Sequence, residues 1–136
     1  MATKIFVNMS VKDLPKSIAF FTAMGYTFNP QFTDDTATCM IISDDIYAML
    51  LTEARFKDFA PKAVCDAHQS TEMLIALSCD TRGQVDVLVS KAIEAGATTF
   101  KDPQDHGFMY LRSFQDLDGH IWEIFFMDPA HVMPQA

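Results

Sequence analysis

Ser113 to Asp128, SFQDLDGHIWEIFFMD, places one carboxylate, Glu123, inside an apolar strand that follows a turn-forming DLDG. Side chains alternate across a strand, so Ile121, Glu123 and Phe125 share one face while Trp122, Ile124 and Phe126 take the other. If helices cover the Trp/Ile/Phe face, Glu123 looks into whatever the sheet encloses, where it can act as a general base or a ligand. Arg112, in the preceding strand MYLRSF, is the second chemically pointed residue. An unpaired guanidinium under helices would strand a charge in an apolar core. That places Arg112 on the enclosed face beside Tyr110 and Phe114, where it can pair with Glu123 or a ligand carboxylate, or else at a frayed rim reaching solvent.

The histidines and cysteines add little. His120 is an odd number of residues from Glu123 and faces the other way, His68 and His106 fall in loops, and His131 is in the tail. Cys39, Cys65 and Cys79 are odd in number, widely spaced and without a C-x-x-C pair, which argues against a disulfide framework or a metal cluster. Cys39 and Cys79 sit in apolar strand-like runs and read as packing.

Elements that could position these residues recur. Ile5–Met9 is a β-prone run, Asp13 can cap a helix carrying Leu14, Ile18 and Phe21, Gly25 stops it, and Tyr26–Phe32 is strand-like. The second half repeats the order with Met73–Cys79, a cap at Asp80 or Thr81, a stripe of Val85, Leu88, Val89, Ala92 and Ile93, and a stop at Gly96. Each half closes with hairpin material, Thr36–Ile42 with Ile46–Thr52, and Phe108–Phe114 with His120–Met127. The fold class expected is therefore α+β, from two βαβββ modules forming a curved mixed sheet with an open cup and helices on the outer face. The 136 residues fit one domain: module 1 over about 1–53, a connector over 54–71 with a short helix in EARFKDF, module 2 over 72–128, and a tail over 129–136.

Alternation assigns Phe6, Asn8, Ser10, Ala48, Leu50, Thr52, Leu74, Ala76, Ser78, Ile121, Glu123 and Phe125 to the cup. Ile5, Val7, Met49, Leu51, Ile75, Leu77, Trp122, Ile124 and Phe126 fall to the helix side. A lining of this kind suits a small organic molecule with an apolar or aromatic body and a polar handle. With a net charge of −8 and scattered Lys and Arg, nucleic acid is not an expected partner. No apolar run is long enough for a membrane span, and MATKIFVNMSVKDL lacks the form of an export signal, so a cytoplasmic location is expected.

The duplication, with VKDLPKSIAFFTAMGY near the start and FQDLDGHIWEIFFMDP near the end, resembles the vicinal oxygen chelate superfamily of glyoxalase I, bleomycin resistance proteins and extradiol dioxygenases. It looks most like small bacterial proteins labelled predicted lactoylglutathione lyase. The resemblance implies two ligands per module from first and last strands, at positions matching Phe6, Leu50, Leu74 and Glu123. Three of these have no lone pair for a cation, so the usual metal site is expected to be missing and no cofactor is expected. A divalent metal (Ni, Zn, Mn or Fe) enters only if that assignment is wrong. The resemblance thus implies a metal-free binding protein of the bleomycin-resistance type, a homodimer, and alternation and burial give its expected ligand-binding residues as Phe6, Asn8, Leu50, Leu74, Tyr110, Arg112, Phe114, Glu123 and Phe125. The alternative is a lyase, isomerase or dioxygenase-like enzyme with Glu123 as base or metal ligand.

Overall fold

The computed structural model describes residues 3–131. The chain falls into two compact units with the boundary between Asp66 and Ala67. The first holds β1 (Ile5–Val11), α1 (Leu14–Ala23), β2 (Thr27–Asn29), β3 (Ala37–Ile41), β4 (Ile46–Thr52) and α2 (Glu53–Lys57). The second holds β5 (Leu74–Ser78), α3 (Arg82–Glu94), β6 (Gln104–Asp105), β7 (Met109–Gln115) and β8 (Ile121–Met127). Each unit forms a four-stranded mixed sheet, in the orders β1-β4-β3-β2 and β5-β8-β7-β6. These orders are the same once the second unit's strands are renumbered, which establishes the duplication in topology. The fold is α+β, and no described helix is long and apolar enough to cross a membrane.

Local chemistry accounts for the helices. Asp13 is extended and its carboxylate accepts from Lys16 N at 3.1 Å, satisfying a donor that the first turn of α1 leaves orphaned. Leu14, Ser17, Phe20 and Phe21 form its buried stripe. In the second unit Thr81, rather than Asp80, is the cap: its hydroxyl accepts from Gln84 N at 3.1 Å. Gln84 reaches back to accept from Asp80 N at 2.8 Å, a reciprocal arrangement akin to a capping box. Val85, Val89 and Ala92 are fully buried on one side of α3. The strand expected over Tyr26–Phe32 is shorter, because Pro30 removes a donor and a 3-10 turn over Pro30–Phe32 follows β2.

Phe114, Trp122 and Ile124 are almost wholly buried in the second unit. The Phe114 and Trp122 rings lie parallel, 6.5 Å between centroids. Full burial of side chains this size contributes about 2–3 kcal/mol each, which makes β7 and β8 the rigid platform of that unit.

The DLDG turn between β7 and β8 is held by Asp116. Its carboxylate accepts from Asp118 N (2.9 Å), His120 N (3.0 Å) and the Trp122 indole N–H (2.9 Å). Burial pushes this carboxyl up, while the charge of His120 and the hydrogen bond from Trp122 pull the other way. Gly119 has φ +86°, and a Cβ there would sit 2.7 Å from the His68 backbone nitrogen. Glycine is required both by the left-handed backbone and by the turn at Ala67 and His68 that passes beside it.

Candidate functional site

Strand register decides which side chains share a face. In the second unit Leu74 lies beside Ile121, Ala76 beside Glu123 and Ser78 beside Phe125. Across β7, Ser113 faces Glu123 and Leu111 faces Phe125. Leu74, Glu123 and Phe125 thus occupy one surface, as alternation predicts. Leu74 is 54% exposed, whereas Trp122 and Ile124 on the other face are buried, so the Glu123 face is the open one.

Arg112, Tyr110 and Phe114 are not on it, contrary to the sequence expectation. They pair in register with Ile124, Phe126 and Trp122, on the side that α3 covers. Asp86 of α3 explains how a guanidinium is accommodated there. Its Oδ1 accepts from Tyr110 Oη at 2.6 Å and from Arg112 Nη1 at 3.1 Å. Those bonds, Tyr110 first, hold the Asp86 carboxyl below its ordinary value, and the bond to Asp86 raises Tyr110. A charge on the helix side is therefore not left unpaired, because its partner comes from 26 residues away.

Glu123 is not a solitary acid. Lys101, from the loop after α3, places Nζ 3.2 Å from Glu123 Oε2, with side-chain exposures of 32% and 17%. The ammonium also lies 5.8 Å from the Phe100 ring centroid. Opposite Glu123, the Ser113 hydroxyl is buried and has no hydrogen-bond partner. No spacing rule connects Lys101 to Glu123, 22 residues away, and sequence reasoning passed over it. Asp86 was missed for the same reason, its partners being 24 and 26 residues away.

In the first unit Phe6, Asn8 and Ser10 pair with Tyr47, Met49 and Leu51. Leu50 therefore belongs to the opposite face with Met9 and is fully buried, as is Ala48, and neither shares a surface with Phe6. The expected facing of β4 is off by one residue, and a slip of one exchanges both faces. Phe6 is 47% exposed and stacks on Tyr47, 4.7 Å between centroids and 11° from parallel. Asn8 is turned onto its own strand, donating Nδ2–H to the Phe6 carbonyl at 3.1 Å.

A divalent cation fits these residues poorly. The Phe6 face offers aromatic and thioether groups with two neutral hydroxyls, of Ser10 and Tyr47, and one engaged amide, and the Glu123 face offers one carboxylate already facing an ammonium. Among the described residues no group of three or more His, Cys, Asp or Glu side chains is placed to hold a metal. A shallow cavity of about 610 Å³ at the start of α3 touches this face only through Ser78. Its Thr81 and Gln84 side chains are committed to capping.

Comparison with known proteins places these features in context. Residues 3–43 match the family model described as bleomycin resistance protein-like N-terminal. Among solved structures, hypothetical protein SA1046 from S. aureus is 29% identical, with 93% of this chain and 95% of that one covered and a TM-score of 0.77. A glyoxalase/bleomycin resistance protein/dioxygenase family enzyme from Burkholderia phytofirmans PsJN is 20% identical, over 93% and 99% of the two chains, with a TM-score of 0.76. A glyoxalase-related enzyme from Fulvimarina pelagi is 19% identical, over 93% and 88%, with a TM-score of 0.77. The last two likenesses speak to the fold. A search of the curated proteins gives no match.

Proposed function

We propose, the chain being by fold a member of the vicinal oxygen chelate superfamily, that it binds a small organic molecule with an apolar or aromatic body and does so without a divalent metal. The observation that carries this reading is the Lys101–Glu123 pair, 3.2 Å apart. The acid at the position where the resemblance puts a metal ligand has its charge balanced by the chain's own ammonium. Around it the open face offers Leu74, Ile121 and Phe125, an apolar lining with few polar groups. Action as a cytoplasmic homodimer belongs to the same proposal.

The other reading is a lyase or isomerase related to lactoylglutathione lyase, or a dioxygenase-like enzyme, with Glu123 as base or metal ligand. One feature favours it: Oε2 of Glu123 is engaged by Lys101, and Oε1 remains to take a proton from a bound substrate. Metal stoichiometry of untagged protein, before and after incubation with Ni, Zn, Mn and Fe(II) salts, separates the two. A ratio near zero for each metal is expected. About one metal per chain would overturn the metal-free reading and bring glyoxalase and dioxygenase assays forward, with Glu123→Gln expected to abolish any activity found.

A further inference from the structure

Among the cations of residues 67–131, Arg82 is held by both carboxylate oxygens of Asp105 and by the Gly107 carbonyl, and Arg112 by Asp86. Lys91 lies in the last turn of α3. Lys101 is the cation brought to the Glu123 face. An ammonium has three N–H donors, of which Glu123 Oε2 takes one. The side chain is 32% exposed, so its other donors are within reach of an incoming molecule. Across the β7–β8 pair, the Ser113 hydroxyl has no protein partner but is buried, so Lys101 is the polar group an incoming molecule meets. On the same face Leu74 is exposed and Ile121 and Phe125 are half-buried, which leaves apolar surface beside Glu123.

We infer that the ligand is an apolar-bodied carboxylate, its anionic group bound to Lys101 and its body laid on the Leu74, Ile121 and Phe125 surface. This rests on the binding reading above and adds the charge of the ligand to it. Glu123 positions the ammonium before the ligand arrives, which lowers the ordering cost of the long lysine side chain. It also sets a limit on affinity, because its own charge opposes the incoming anion. The overall charge of −8 gives no long-range attraction for anions, so discrimination must come from this one contact.

Calorimetric titration with 2-naphthoate, neutral 2-naphthamide and 2-naphthylmethylammonium tests the inference, since the three share a ring system and differ in charge. Naphthoate is expected to bind tightest. Lys101→Met should weaken naphthoate by about tenfold or more while leaving naphthamide unchanged, with Lys101→Arg restoring much of the loss. Glu123→Gln should move the other way and strengthen naphthoate, a gain that no folding defect produces. Naphthamide or the ammonium binding as tightly as naphthoate, or Lys101→Met shifting all three alike, overturns the carboxylate inference and leaves small-molecule capture standing. If none of the three binds, the capture reading itself fails and takes the inference with it.

Discussion

Replacing Asp116 by Asn isolates one hydrogen bond in the turn that sets up the Glu123 strand. The carboxylate accepts from Asp118 N and His120 N on Oδ1 and from Trp122 Nε1 on Oδ2. Asn keeps the shape and one acceptor oxygen, which can still serve the two backbone donors. Its amide then points N–H at the indole N–H, and Trp122 is 1% exposed, so water cannot replace the lost acceptor. A buried donor left without a partner costs about 1–3 kcal/mol, partly offset because Asn avoids the burial of charge that pushes Asp116 upward. A double-mutant cycle with Trp122→Phe removes that offset along with any packing loss from the indole. The coupling between the two substitutions should be about 2 kcal/mol, with Asp116→Asn close to neutral or stabilising once the indole is gone. Trp122 is the chain's one tryptophan, so urea unfolding at pH 7 must be followed by circular dichroism rather than fluorescence. A coupling below about 0.5 kcal/mol would mean that the turn is held without this bond, and the reasoning would be refuted.

Gly119→Ala combines a positive φ with a Cβ 2.7 Å from the His68 nitrogen and should cost more than about 2 kcal/mol; an unchanged urea midpoint would contradict the close approach. Leu74→Glu should be tolerated within about 1 kcal/mol because Leu74 is 54% exposed, whereas Leu50→Glu, at a fully buried site, should abolish stable folding; equal effects by thermal melting would reject the assignment of faces. Arg82 and the Gly107 amide hold the Asp105 carboxyl at about 2, below its ordinary value. The charged form is thereby favoured in the folded state, so the stabilisation is present above about pH 4 and is lost as the pH falls toward about 2. Arg82→Met should remove this part of the acid dependence without changing the neutral-pH fold, as read by melting temperature against pH, and an identical acid limb in both proteins would count against it.

Much of the open face could be read from residue order alone. Along β5 and β8 the alternation of Leu74, Ala76 and Ser78 with Ile75 and Leu77, and of Ile121, Glu123 and Phe125 with Trp122 and Ile124, carries over into the folded register. α1 and α3 each start at a polar side chain that caps them and end at glycines with positive φ, Gly25 and Gly96. Those are short-range effects, set by side chains within a turn or two. The facing of β4 was not legible, because β1 and β4 are parallel and their pairing of Phe6 with Tyr47 is made only when distant segments meet. A regular strand shows which residues alternate, but not which half of them lies beside Phe6.

The repeated unit, the strand carrying Glu123 and the apolar character of its face were determined by the sequence itself, through periodicity and local capping that each segment carries with it. Tertiary structure alone decided the electrostatics of both faces of that sheet. Lys101 reaches Glu123 across 22 residues and Asp86 takes Arg112 across 26, and both pairings exist only because the chain folds back to bring the charges together. Charges attract through space rather than along the chain, so no pattern of neighbouring residues encodes which of them will meet.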